Sequence, residues 1–116
     1  MNDLPATRRP CANCPWRTDV PPGEFRPDRF RELAATARDM SFGIFTCHKT
    51  SDGDAMACAG FLERGADHNL AVRLAYSFHR LDRLDRSGGL ELFDNYRAMA
   101  EANGVDPSDP DLADVR

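Results

Sequence analysis

Residues 11 to 17 read Cys-Ala-Asn-Cys-Pro-Trp-Arg: two thiols two residues apart, a proline directly after the second, and then the only tryptophan of the chain. Cys47 and Cys58 are the only other cysteines. A spacing of two residues lets both sulfurs of a tight turn point at one ion, and a second pair from elsewhere completes a tetrahedron of thiolates. The pattern therefore predicts one metal held by Cys11, Cys14, Cys47 and Cys58. The competing reading makes Cys11 and Cys14 a redox pair and leaves Cys47 and Cys58 as ordinary small buried residues. A thioredoxin-like pair needs a strand ahead of it, and the ten residues before Cys11 carry none, which favours the metal.

The rest of the composition is consistent with a metal-stapled domain. A chain of 116 residues is one domain's length and buries about two-thirds of its unfolded surface, so the stability added by a metal counts. The first ten residues hold no apolar run, and no later stretch approaches membrane-spanning length. The expected compartment is the cytoplasm, where thiols stay reduced and four cysteines serve a metal better than a disulfide framework. A net charge of −4 argues against unspecific nucleic-acid binding, which needs a basic surplus. The basic residues are arginines apart from Lys49, a bias that fits a GC-rich genome.

Outward from the first pair, residues 1 to 10 read as an extended lead-in, and Pro21-Pro22-Gly23 forces a loop. Pro27 suits a first helical position, and Phe30, Leu33, Ala34, Ala37 and Met40 recur at helical steps, which predicts a helix over about 27 to 39. Residues 42 to 47, Phe-Gly-Ile-Phe-Thr-Cys, read as a buried strand that delivers Cys47 at its end. Asp54 is placed to cap a short helix through Cys58, Phe61 and Leu62 that Gly65 closes. A longer helix starts at Asp67 or Asn69 with Leu70, Leu74, Phe78 and Leu81 on one face. Ser87-Gly-Gly89 breaks it, and Leu92, Phe93, Tyr96, Met99 and Ala100 mark a last helix ended by Asn103-Gly104. Residues 105 to 116, acidic and proline-bearing, are expected to fray.

The expected fold is thus α+β and mostly helical, with one or two short strands and about four helices. A metal-site half spans about 8 to 66, a helical half about 67 to 104, and a disordered tail the remainder. Four thiolates suit zinc or a [4Fe–4S] cluster; zinc is favoured because a closed structural site adds folding energy to a small domain. Trp16 and Phe45, near ligands in sequence, are expected to shield the centre. His48 and His68 are second-shell or alternative ligands. His48 follows a ligand directly and projects away from it; His68 sits at a helix start as a capping residue or, less favourably, an acid–base group. His79 belongs on the surface, and Arg17 pairs with Asp19 or binds an anion.

The blocks Pro10-Cys-x-x-Cys-Pro-Trp-Arg17, Phe45-Thr-Cys-His48, Cys58-Ala-Gly-Phe-Leu62 and His68-Asn-Leu-Ala-Val-Arg73 resemble a family of small uncharacterised proteins of actinobacteria and bacteriophages. The resemblance runs from about Pro10 to Arg73, leaving 74 to 116 outside it. It implies that Cys11, Cys14, Cys47, His48, Cys58, Gly60 and His68 are recurrent positions, and it carries no activity. The function expected is that of a small cytosolic zinc protein acting as a binding or regulatory module toward a protein partner. A phage-encoded inhibitor of a bacterial protein would be one such case. The alternative is a [4Fe–4S] redox or sensor protein. A metal-dependent hydrolase or nuclease ranks last, because thiolate-rich sites weaken a metal's Lewis acidity and no general-base glutamate stands near a ligand.

Overall fold

The computed structural model describes residues 3–47 and 55–115. His48, the polar turn at 50–54 and the expected cap at Asp54 lie outside the described residues. Regular structure is dominated by four short helices: α1 (Pro27–Leu33), α2 (Ala59–Arg64), α3 (Leu70–Ser77) and α4 (Tyr96–Ala102), with tight 3-10 turns at Ala34–Ala37 and Pro110–Leu112. The radius of gyration, 13.3 Å, is that of one compact domain of this length.

The expected strand at 42 to 47 is reduced to a single antiparallel bridge, Thr46 to Ala57, with Phe42 at its start 63 % exposed. Ala57 also bridges Ala6 in parallel, so three chain segments meet at one buried residue. Backbone bonds Ala57 N to Pro5 O (2.8 Å) and Thr7 N to Ala57 O (3.0 Å) hold one side, and Cys47 N to Met56 O (2.8 Å) and Cys58 N to Phe45 O (2.9 Å) the other. Among the described residues no strand runs further than such isolated pairs.

The core forms around Trp16, wholly buried, with Phe45 at 5.8 Å and Tyr96 at 5.7 Å in edge-on contact, and Phe61 stacked on Phe45 at 6.0 Å. Edge-on geometry places positive ring edges on negative ring faces and adds to the burial of the rings. Tyr96 also donates its hydroxyl to Phe30 O at 2.6 Å, tying α4 to α1, and burial pushes its phenol well above the ordinary range. Helix α2 lies against the indole through its glycines. A Cβ at Gly60 would stand 2.5 Å from Trp16 Cβ, and one at Gly65 2.5 Å from the far ring edge.

Three expectations are corrected. The first helix tightens into a 3-10 turn at Ala34–Ala37 and stops where Arg38 becomes extended to bridge Val115, so Met40 leaves the buried stripe, 64 % exposed and in a left-handed backbone (φ 64°). The helix from Asn69 ends at Ser77. It buries Val72 and Ala75, leaving Leu70 and Leu74 half-buried and Phe78 exposed, and beyond its end, past the left-handed His79 (φ 56°), Leu81 enters the core. The tail expected to fray folds back. Val105, Leu112 and Val115 are buried, Arg97 donates to Leu112 O, to Val115 O (3.2 Å) and to Pro107 O (3.0 Å), and Arg31 pairs with Asp109 at 2.8 Å. Acidic composition concealed three apolar anchors spaced far enough apart to leave no periodic signal.

Two variants test this packing by urea denaturation. Gly60→Ala is expected to lose about 1–3 kcal/mol, the usual cost of overpacking, whereas Gly43→Ala, whose Cβ meets only an ordinary 3.5 Å contact, should stay within about 1 kcal/mol of the parent. Leu112→Ala is expected to cost about 2–5 kcal/mol; a cost near zero would show that the C-terminal segment is loose.

Candidate metal centre

Two successive tight turns present the first thiol pair: Cys14 N bonds to Cys11 O at 3.2 Å and Arg17 N to Cys14 O at 3.1 Å. Pro15 between them lacks an N–H and loses nothing there. Arg17 braces the same turns, donating to Cys11 O at 3.1 Å while forming a two-bond pair with Asp19, both contacts 2.7 Å. That pairing occupies Arg17 as the ion-pair reading expects and leaves its anion-binding alternative without support. Asn13, between the two thiols, donates to Glu24 at 2.9 Å and draws the following loop in.

The second pair arrives from the Thr46–Ala57 bridge. Cys47 and Cys58 lie just beyond it on the two paired segments, Cys47 buried after Thr46 and Cys58 buried at the cap of α2, ahead of the helix. Thr7 completes this arrangement from the N-terminal segment, accepting from Ala59 N at 2.9 Å at the start of α2. The lead-in given no role in the sequence reading thus supports a candidate ligand. Buried Arg86 fixes that segment in turn, donating to Thr7 O at 2.9 Å.

The four thiols lie near one another without forming one cluster. Cys14 Sγ and Cys58 Sγ stand 3.7 Å apart across 44 residues of chain. Cys14 and Cys47 are near enough to Cys11 for their charges to act on it, and no disulfide joins any of the four. Among the described residues no group of three or more His, Cys, Asp or Glu side chains is drawn together closely enough to hold a metal ion as placed. Crowding shows in the protonation of the thiols. Burial, then the neighbouring Cys14 and Cys47, pushes Cys11 up to about 11. Cys14 goes higher still, held protonated by its hydrogen bond with Cys58 and by burial. The same bond, assisted by the amides of Phe61 and Gly60, draws Cys58 down.

Cys11, Cys47 and Cys58 floor a cavity of about 250 Å³ walled by Phe25, Phe30 and Leu33. Cys11 is the partly exposed member of the four, and Cys14 is not on the cavity wall. Phe45 lines this cavity, whereas Trp16 does not and belongs to the core behind it.

His68 lies elsewhere. It faces Asp39 at 3.8 Å, on a groove with Arg73 and Tyr76 that shares no residue with the thiol cavity. The cap of α3 is the adjacent Asn69, fully buried, accepting from Val72 N at 3.0 Å and donating to Thr36 O (3.0 Å) and Gly43 O (2.6 Å). An Asn before an apolar run is a readable cap signal; its grip on the segment after α1 is long-range and leaves no trace in the sequence. His79 is exposed.

The protonation pattern has a sign that can be measured. The folded chain holds the Cys11 proton more tightly than the unfolded chain does, so that contribution is complete below the ordinary thiol value of 9.0 and is lost as pH rises through about 11. With a chelator present, the melting temperature of the parent should fall between about pH 9 and 11 more steeply than that of Cys11→Ser. Parallel profiles would show that Cys11 is not held in the crowded position.

Comparison with known proteins adds one match. A family model described as "Family of unknown function (DUF6283)" covers residues 6–116. Residues 74 to 116, expected to fall outside the family resemblance, lie inside this span, in keeping with their packing against α1 and α4. No curated protein and no solved structure matches the chain.

Proposed function

The chain belongs to the Family of unknown function (DUF6283), and for this member we propose a structural zinc site, with Cys11, Cys14, Cys47 and Cys58 as ligands, in a small module that binds a protein partner. The observation that carries the reading is the 3.7 Å separation of Cys14 Sγ and Cys58 Sγ. A tetrahedron with zinc–sulfur bonds of about 2.3 Å has sulfur–sulfur edges of about 3.8 Å. The two sulfurs therefore already stand at the edge length of such a site, and Cys11 and Cys47, which line one cavity with Cys58, would have to move inward to supply the remaining corners.

The donor set fits a structural role. Four thiolates fill the coordination of zinc and leave no open position for water, and a closed site converts metal affinity into folding energy. The proposed ligands come from the N-terminal turn, the segment before residue 48 and the cap of α2, so one ion would clamp three stretches that meet through the packing of Trp16 on Phe45 and Gly60. No helix among the described residues is long and apolar enough to cross a membrane. For a partner, the exposed Met40 and Phe42 are the natural contact: the backbone beneath them is anchored by Met40 N to His68 O (2.8 Å) and Leu70 N to Ser41 O (2.7 Å).

A [4Fe–4S] cluster remains the alternative, favoured by the cavity beside three of the thiols, which leaves room for a bulkier centre. In such a cluster each thiolate binds a different iron, which places the sulfurs well apart and opposes the Cys14–Cys58 contact. Elemental analysis and a visible spectrum of protein purified without oxygen decide between the two. One zinc per chain in colourless protein, lost in Cys14→Ser, is the expected result; brown protein with broad visible absorbance and bound iron would establish the cluster; absence of both metals would overturn the metal reading.

A further inference from the structure

Arg86 carries a charge that cannot be titrated away, and it is buried, only 5 % exposed. Its guanidinium donates to two backbone carbonyls, Thr7 O at 2.9 Å and Asp82 O at 3.3 Å, while Nε is buried without a hydrogen-bond partner. Among the described residues no carboxylate forms an ion pair with it; Glu63 accepts instead from the backbone N of Arg86, at 2.6 Å. Neutral donors could hold two carbonyls equally well, whereas a buried cation without a counter-charge costs stability. Arg86 lines an open cavity of about 210 Å³ that Arg8, Arg80 and His79 also line, against the carboxylates of Asp3 and Asp82. The backbone there is pinned, with Leu4 N bonded to Arg80 O (2.9 Å) and Arg80 N to Ala75 O of α3 (2.8 Å).

We propose that this cavity binds the phosphate group of a small ligand, the oxyanion supplying the counter-charge that Arg86 lacks. Guanidinium groups present paired donors that match phosphate oxygens, and they keep their charge at every physiological pH. Arg8 comes from the N-terminal segment and Arg80 from the turn after α3, so one phosphate held by both would tie these two stretches together beside Arg86. Asp3 and Asp82 repel further negative charge and offer acceptors to hydroxyl groups, which suits a single phosphate on a hydroxylated carrier better than a polyphosphate. The cavity, several times the roughly 30 Å³ that a water occupies in the liquid, has room for both parts. It shares no residue with the thiol cavity, and the inference is independent of any metal.

The test titrates the full chain, as purified, with inorganic phosphate and in parallel with glycerol phosphate, by calorimetry at an ionic strength held constant with sodium chloride. The expected result is saturable binding of one phosphate per chain, weakened about tenfold in Arg80→Gln by loss of a charge-assisted hydrogen bond and several-fold in Arg8→Gln. Tighter binding of glycerol phosphate supports an esterified phosphate as the ligand, and tighter binding of inorganic phosphate supports the free ion. Heat that fails to saturate with either probe, or affinities unchanged in both variants, overturns the inference. Arg8 is exposed, so Arg8→Gln keeps the fold. Should Arg80→Gln unfold, amide shifts of the parent on adding phosphate decide: shifts centred on residues 3 to 8 and 79 to 86 support the site, and shifts centred elsewhere overturn it.

Discussion

The indole of Trp16, held between the glycines of α2 and the rings of Phe45 and Tyr96, is the contact on which the remaining structure depends. Only glycine leaves room for it at positions 60 and 65, where any Cβ would stand 2.5 Å from the tryptophan. Close approach of a helix backbone to a ring buries the ring on both faces and fixes the helix in rotation as well as distance. Because Cys58 caps that helix and Cys14 is two residues before Trp16, the packing that seats the indole also brings these two sulfurs to 3.7 Å.

This coupling explains how a chain with so little regular structure positions a four-thiol site. The helices are one to two turns long, and isolated helices of that length have no stability of their own in water. Their ends are held by groups from distant segments: Thr7 at α2, Asn69 and its bonds to Thr36 and Gly43 at α3, and Tyr96 reaching from α4 to α1. The C-terminal segment works in the same way, with Arg31 and Arg97 binding residues 107 to 115 back onto α1 and α4. A clamp at the thiols would act on the part of the molecule where backbone pairing is thinnest, at the single residue Ala57.

Access separates Cys14 from the other three thiols. Cys11, Cys47 and Cys58 line a cavity, whereas Cys14 is buried away from it. Burial and neighbouring thiols disfavour thiolates at Cys11 and Cys14, whose values are raised, and the charge of a bound cation would offset that penalty.

The sequence by itself determined the local features. The spacing of Cys11 and Cys14, Pro27 at the start of α1, Gly65 at the end of α2, the Asn69 cap and the Asn103-Gly104 stop are all written within a few residues of where they act. Tertiary structure alone decided where a helix face points and where a helix stops. Leu70, Leu74 and Phe78 have the spacing of a buried stripe, yet Val72 and Ala75 are the buried residues, since the face a helix turns inward is set by what packs against it and small side chains allow close approach. The same holds for the C-terminal segment, whose anchors at Val105, Leu112 and Val115 follow no helical or strand period, with Arg97 reaching the carbonyls of Leu112 and Val115 and α4 accepting from Val105 N at Ala100 O. The cysteine pairing across the site was equally hidden. Residue spacing nominated four thiols, and only the seating of α2 on Trp16 put Cys14 against Cys58, since contacts across 44 residues are set by packing and not by local sequence.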